Sequence, residues 1–250
     1  MGTRLREHSE TRPKPMVEVG GKPILWHIMK LYASYGITDF VVALGYKGDQ
    51  IRDYFLHYDL RARDATVTLG SAGNVEVHTD HGEAGWRVTL AETGEKAQTG
   101  CRTLRAARYA EGETFALTYG DGLTDVDLAA VLRFHKSHGG LVTITGVRPP
   151  GRFGELRSAV GGKVTAFAEK PQVTEGVING GFFFIEPGFL KYLKDDDACI
   201  LESHALEAAV ADGQVHVYEH DGFWQCMDTP RDWEALERHW VSGHAPWKRW

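Results

Sequence analysis

Two neighbouring stretches set the fold: Pro23-Ile24-Leu25-Trp26-His27-Ile28-Met29-Lys30-Leu31-Tyr32, and then Asp39-Phe40-Val41-Val42-Ala43-Leu44-Gly45. The first opens on proline and has Gly36 beyond its end, the asymmetry of a helix. The second is a continuous apolar run closed by glycine, the composition of a strand buried on both faces of a parallel sheet. Residues 51–58 return to a helical period. Helix and strand alternating in this way make a βαβ rhythm, so the class is α/β.

Outward from this unit, residues 59–100 carry glycines between short β-rich pieces such as Trp86-Arg87-Val88-Thr89-Leu90. They predict a strand-rich excursion with loops. Residues 102–110 read as helix, and Phe115-Ala116-Leu117-Thr118-Tyr119 as a buried strand ending in Gly120-Asp121-Gly122. Residues 125–138 predict a helix capped by Asp125 or Thr124, with Gly139-Gly140 after it. Strands are expected at 141–147, 164–168 and 181–185, and a last helix at 230–241. The chain closes on an aromatic tail, 240–250, expected to pack that helix or a subunit contact rather than to stack bases. No repeat or flexible linker is visible, so residues 1–250 are expected to form one domain.

Composition excludes several classes. The net charge of −6 removes general nucleic-acid binding. Three cysteines without a CxxC pair argue against a disulfide framework or a cysteine zinc site and fit a reducing compartment, the cytoplasm. Apolar runs fall short of the ~18 residues that a membrane span needs. Residues 1–14 are charged, without the apolar core of a signal peptide. His78 and His81, and His135 and His138, are spaced three apart but lack further ligands nearby, so they read as surface or packing residues.

Several segments carry candidate chemistry. Gly2-Thr3-Arg4-Leu5 suits a loop around a polyphosphate: glycine lets the backbone N–H groups approach, and arginine grips phosphate oxygens in pairs. Lys14, between Pro13 and Pro15, is a cation on a stiff backbone, as a developing phosphoryl anion needs. Asp121, between two glycines after a strand, is either a turn residue or a metal carboxylate at the end where α/β sheets collect ligands. Asp228 in Met227-Asp228-Thr229-Pro230 is either a second metal carboxylate or the cap of the last helix. Glu169-Lys170-Pro171 and Asn179-Gly180-Gly181 offer a cation and hydrogen-bonding groups for a sugar phosphate, or ordinary strand-end residues. Arg102 is a nucleotide contact or a surface arginine.

The order of these segments resembles the sugar-1-phosphate nucleotidyltransferase family: G-T-R-L, K-P-M-V, G-G-K-P-I-L, G-D-G, E-K-P, N-G-G-F and M-D-T. The finer spelling, from R-P-K-P-M-V-E-V-G-G-K-P-I-L-W-H through T-Y-G-D-G and P-P-G-R-F-G-E-L to G-F-W-Q-C-M-D-T and A-P-W-K, is similar to its cytidylyl-transferring members. The similarity runs from Gly2 to Trp250. It implies a Rossmann-like fold with a mixed, mostly parallel sheet flanked by helices. It implies CTP and glucose 1-phosphate as substrates, CDP-glucose and pyrophosphate as products for dideoxy-sugar and surface polysaccharide synthesis, and a trimer or hexamer. Carried over by position, Gly2, Thr3 and Arg4 match the triphosphate loop and Lys14 the lysine at the reacting phosphate. Arg102 and Gly120 match nucleotide contacts. Asp121 and Asp228 match the Mg²⁺ carboxylates, and Glu169, Lys170 and Asn179 the sugar-phosphate side.

Two departures from the family pattern stand out. The family begins with a strand and L-A-G-G-x-G-T-R-L, whereas Met1 here stands directly before Gly2, so the first strand and half of the loop are expected to be missing through a misplaced start. Cys101 stands where the family has glycine and is expected to crowd the base contact. The residues also admit a UTP- or dTTP-using relative, a non-catalytic nucleotide binder, or an oligomeric scaffold. A binder or scaffold has no need of both carboxylates and Lys14.

Overall fold

The computed structural model describes residues 12–70, 75–78, 82–110, 114–149, 155–158, 164–168 and 176–250. Lys14–Met16 form one 3-10 turn, and a short hairpin pairs Glu18–Val19 with Lys22–Pro23. Helix α1 (Ile24–Ala33) follows at once, its first amide bonded to Val17 O at 2.9 Å. Ile24, Ile28 and Leu31 recur at one-turn intervals and are all buried, in one cluster with Val19, Leu123, Phe182 and Trp247. Burying a side chain of this size contributes ~1.5–3 kcal/mol, so α1 is held by its packing rather than by its own propensity.

Strand β1 (Asp39–Leu44) runs parallel to β2 (Arg87–Glu92), with Asp39 opposite Arg87 and Leu44 opposite Glu92. The crossover holds α2 (Gly48–Leu56), a short helix Tyr58–Ala62, and an antiparallel hairpin of Ala65–Val67 with Val75–Val77. The hairpin falls in the 59–100 segment read from the sequence as a strand-rich excursion. After α3 (Thr99–Ala107) come β3 (Phe115–Thr118), β4 (Gly122–Thr124), α4 (Leu128–His138) and β5 (Val142–Val147). A hairpin of Glu155–Ser158 with Val164–Ala168 precedes β6 (Ile178–Ile185). A π-helical stretch, Leu201–Leu206, leads into Glu207–Ala211, then β7 (Val215–His220), β8 (Trp224–Cys226) and α5 (Pro230–Val241). The second sheet has the order β7-β5-β6-β3. β5 and β7 are parallel, whereas β6 is antiparallel to both β5 and β3, so the architecture is mixed α/β as expected.

Two local expectations are corrected. The helix after β4 starts later than predicted, because Asp127, not Asp125 or Thr124, is its cap: Asp127 Oδ1 accepts from Ala130 N at 3.1 Å. Strand β1 was expected to be buried on both faces and β3 to be buried. Only Leu44 of β1 is fully buried, and all four residues of β3 are half-buried. Among the described residues each has a ladder partner on one side only, β2 for β1 and β6 for β3, which leaves their flanks uncovered.

The aromatic tail is structural. Trp247 is buried and packs with Phe223 and His27. Its indole Nε1 donates to His27 Nδ1 at 3.3 Å, so the imidazole carries its proton on Nε2 and donates to Val19 O at 2.8 Å. Burial holds this histidine down to about 4, hence neutral.

Candidate active site

The site forms where three segments cross. In the first, Pro13 and Pro15 fix the backbone on either side of Lys14, and Met16 N closes onto Pro13 O at 2.8 Å. Buried Met16 and Val17 anchor the turn, which leaves the lysine side chain half-exposed above it.

In the second, β3 runs into Tyr119-Gly120-Asp121-Gly122. A Cβ on Gly120 would stand 2.8 Å from Pro15 Cγ, so only glycine lets the lysine turn lie this close to Asp121. The third is the exit of β8. β4 and β8 pair antiparallel, with Gly122 opposite Cys226, and Met227 N donates to Asp121 O at 2.8 Å. This ladder brings Asp228 beside Asp121.

Lys14 Nζ lies 2.7 Å from Asp228 Oδ1 and 3.6 Å from Asp121 Oδ2. Burial, together with the like charge of Asp228, raises the Asp121 carboxyl above its ordinary range, although Lys14 pulls it the other way. Burial alone would lower the Lys14 ammonium. The hydrogen bond to Asp228 and the charges of both carboxylates outweigh it, so Lys14 is raised and stays protonated. Two carboxylates that already bracket one cation are a donor set suited to a hard divalent ion. Among the described residues no three His, Cys, Asp or Glu side chains cluster closely enough to hold an ion alone, so the remaining ligands would be substrate phosphates and water.

A cavity of about 180 Å³ opens between these carboxylates and β6, lined by Tyr119, Gly181, Phe182, Trp224 and Cys226 besides Asp121 and Asp228. Gly181 sits at φ +77°, and a Cβ there would fall 2.4 Å from the Tyr119 ring. Trp224 Nε1 donates to Gly180 O at 2.7 Å. Asn179 Oδ1 accepts from Gly181 N at 2.9 Å, and its Nδ2 donates to the Tyr119 hydroxyl at 3.1 Å. That hydroxyl donates in turn to Glu202, whose other oxygen accepts from Thr99 Oγ1 at 2.8 Å. Burial and Glu202 push the Tyr119 phenol up, so it remains a donor. Cys226 Sγ stands 3.4 Å from Asp228 Oδ2 and is pushed up to about 12 by burial and then by Asp228. It is a protonated donor to the carboxylate, not a nucleophile.

The fold thus gathers Lys14, Gly120, Asp121, Asn179 and Asp228. Gly2, Thr3, Arg4, Glu169 and Lys170 lie outside the described residues. Arg102 is not among the residues lining this cavity. Its Nη1 donates to Leu44 O and Thr93 Oγ1, both at 3.0 Å, and its Nη2 to Glu95 O at 3.1 Å, tying the ends of β1 and β2 together. Cys101 is buried, with its thiol turned towards Asp195 at 3.7 Å. Asp228 does not cap the last helix, because Thr229 does, with Asp232 completing a capping box. Tyr119, Glu202, Trp224 and Cys226 were not singled out as site residues in the sequence. Tyr119 and Cys226 are each two residues from a motif aspartate, the available signal; Glu202 has none. A larger cavity, about 830 Å³, lies between the Arg12–Pro23 segment and α2, with Arg12 paired to Glu18 and Arg61 to Asp53 along its wall.

The family model for nucleotidyl transferases matches residues 1–237. The chain is 47% identical to a glucose-1-phosphate cytidylyltransferase of Salmonella typhi, with 100% of this chain and 96% of the relative covered. It is 39% identical to a probable glucose-1-phosphate cytidylyltransferase of Bacillus subtilis, at the same coverage. Among solved structures, HddC from Yersinia pseudotuberculosis in complex with GMP-PN aligns with a TM-score of 0.63 at 20% identity, covering 92% of this chain and 90% of that one, a likeness of fold. The chain belongs to the nucleotidyl transferase family, where its similarity is to the glucose-1-phosphate cytidylyltransferases.

Proposed function

We propose that the chain transfers a cytidylyl group from CTP to α-D-glucose 1-phosphate, forming CDP-glucose and pyrophosphate. The observation that carries this reading is the Lys14, Asp121 and Asp228 constellation within a chain 47% identical to a curated cytidylyltransferase. An oxygen of the sugar phosphate attacks the α-phosphorus in line. The new P–O bond forms as the bond to the β-phosphate oxygen breaks, and pyrophosphate leaves with the electron pair. No covalent enzyme intermediate is needed, so the protein's task is positioning and charge stabilisation.

Asp121 and Asp228 would hold Mg²⁺, which supplies charge neutralisation and a template for the phosphates. Lys14 turns from the carboxylates to the α-phosphoryl oxygens, with Arg4 beside the leaving pyrophosphate. Gly2, Thr3 and Gly120 bring backbone close to the nucleotide, and Arg102 holds the loop ends that border it. Asn179, steadied by Tyr119, meets the sugar phosphate together with Glu169 and Lys170. A homo-oligomer belongs to the same reading, as the family resemblance implies. Free cysteines support the cytoplasm as the compartment.

The test is product formation with Mg²⁺, glucose 1-phosphate and each of CTP, UTP, dTTP and ATP in turn. CDP-glucose from CTP alone is the expected result. Product from UTP or dTTP in preference would keep the mechanism and overturn the base. No product from any nucleotide would overturn the activity of the chain as it stands.

A further inference from the structure

Helix α5 begins with a capping box. Asp232 N donates to Thr229 Oγ1 at 3.2 Å, and Asp232 Oδ2 accepts from Thr229 N at 2.8 Å. Such a cap ordinarily adds about 1 kcal/mol to a helix end. Here the same carboxylate reaches further. Oδ2 also accepts from Asp228 N at 3.2 Å and from the Thr229 hydroxyl at 2.8 Å. Oδ1 accepts at 3.1 Å from Gln225 Nε2, which also donates to Cys226 O at 2.8 Å. One side chain therefore grips the chain on both sides of Asp228. Asp228 itself is exposed, so its orientation is not fixed by walls of packed atoms. Its backbone is what the structure fixes, through Asp232 on one side and the β4–β8 ladder on the other.

We propose that Asp232 is a positioning residue for the reaction: it holds the backbone at Asp228 so that the Asp228 carboxylate stays opposed to Asp121. The proposal rests on the reading of these two carboxylates as the metal pair. A carboxylate supplies acceptors in both directions, which an amide cannot. Asparagine at 232 would turn its NH₂ group either on the Asp228 and Thr229 amides or on the Gln225 amide, and every one of these is a donor.

Three variants separate positioning from capping. Thr229→Ala removes the cap hydroxyl and leaves the Asp232 bonds to the Asp228 and Thr229 amides. Asp232→Asn breaks at least one flank of the turn. Gln225→Ala removes the Oδ1 arm without touching the helix cap. Thermal midpoint, Mn²⁺ affinity without substrates, and the Mg²⁺ concentration for half-maximal rate would be measured on each. Thr229→Ala and Asp232→Asn are expected to lower the midpoint alike. Of these two, only Asp232→Asn should weaken Mn²⁺ binding, about tenfold, the usual scale for a group that orients a metal ligand, and shift the Mg²⁺ requirement in proportion. Gln225→Ala should shift both metal readouts in the same direction with its midpoint preserved, which keeps the test valid if Asp232→Asn folds poorly. Metal readouts in Asp232→Asn and Gln225→Ala no different from those of Thr229→Ala would reduce Asp232 to a cap and overturn the proposal. Asp228→Asn serves as the control: if it leaves Mn²⁺ binding intact, the metal reading of Asp228 has failed instead.

Discussion

Lys14 and Asp228, one on a proline-bounded turn and the other at the exit of β8, meet at 2.7 Å. The ammonium occupies ground that a divalent ion would share, since Asp121 Oδ2 is also only 3.6 Å from it. On the proposed reading of these carboxylates as the metal pair, metal and lysine would compete for them until phosphates drew the lysine away. Lys14→Gln should bind Mn²⁺ more tightly than the parent protein when no nucleotide is present, read by titration calorimetry. It should nonetheless turn over at least about a hundredfold more slowly, because the cation for the phosphoryl group is gone. Unchanged or weaker Mn²⁺ binding would mean that the lysine does not compete.

Asp121→Asn separates activity from stability. The raised Asp121 carboxyl means that the folded protein bears a cost for keeping it ionised at neutral pH. An uncharged isostere relieves that cost and removes the proposed metal ligand. The expected outcome is a kcat at least about a hundredfold lower with a thermal midpoint equal to or above that of the parent. A lowered midpoint would show that the Lys14 attraction dominates.

Gly120→Ala tests the close approach. A methyl group 2.8 Å from Pro15 Cγ has to move the lysine turn, because proline has no flexible end to give way. A fall in kcat of about tenfold or more is expected, on the scale at which small misplacements near a reacting group act. The companion Gly139→Ala, at φ +70° with open space around it, should lose stability instead, with kcat retained. Steady-state kinetics and thermal melts on both variants decide it.

His27 makes stability depend on pH. Its folded value of about 4 lies below the ordinary imidazole value of 6.5, so the unfolded chain binds the proton more readily. Its contribution is present in full above about 6.5 and is lost as pH falls through that window towards 4. The difference corresponds to about 3 kcal/mol. Denaturant unfolding across this range should show that loss, and His27→Gln should flatten the slope. An imidazole that titrates near 6.5 by NMR in the folded state would refute the account.

The motif strings were legible because each chemical role needs a particular residue type: glycines where backbones touch, a carboxylate after a strand, a lysine between prolines. Periodicity likewise gave α1, β1 and α5 nearly to the residue. The pairing of β4 with β8 was not legible, since three-residue strands carry no period, yet it is what joins Asp121 to Asp228. Asp228 was ambiguous because aspartate serves both as ligand and as cap, and three-dimensional contact gave the cap to Thr229. Glu202 stands in no motif and, among the described residues, reaches the site through the Tyr119 hydroxyl. The half-buried flanks of β1 and β3 could not be read from their apolar composition, which reports what a strand can bury rather than what lies beside it.

The aromatic tail has a practical corollary. Trp250 lies with its ring centroid 5.7 Å from that of Trp26, Lys30 Nζ sits 5.9 Å from its centroid, and Arg249 donates to the Tyr35 hydroxyl at 2.7 Å. All three partners belong to α1 or its exit, and Val17 links the two: its carbonyl accepts from the first α1 amide, and its own amide closes the lysine turn by donating to Lys14 O at 3.0 Å. An affinity tag or surface linker attached after Trp250 therefore pulls on the same lever that aims Lys14. Immobilising the protein through an exposed side chain on the Glu207–Ala211 helix, which packs in a core cluster without α1 residues, would leave that lever slack.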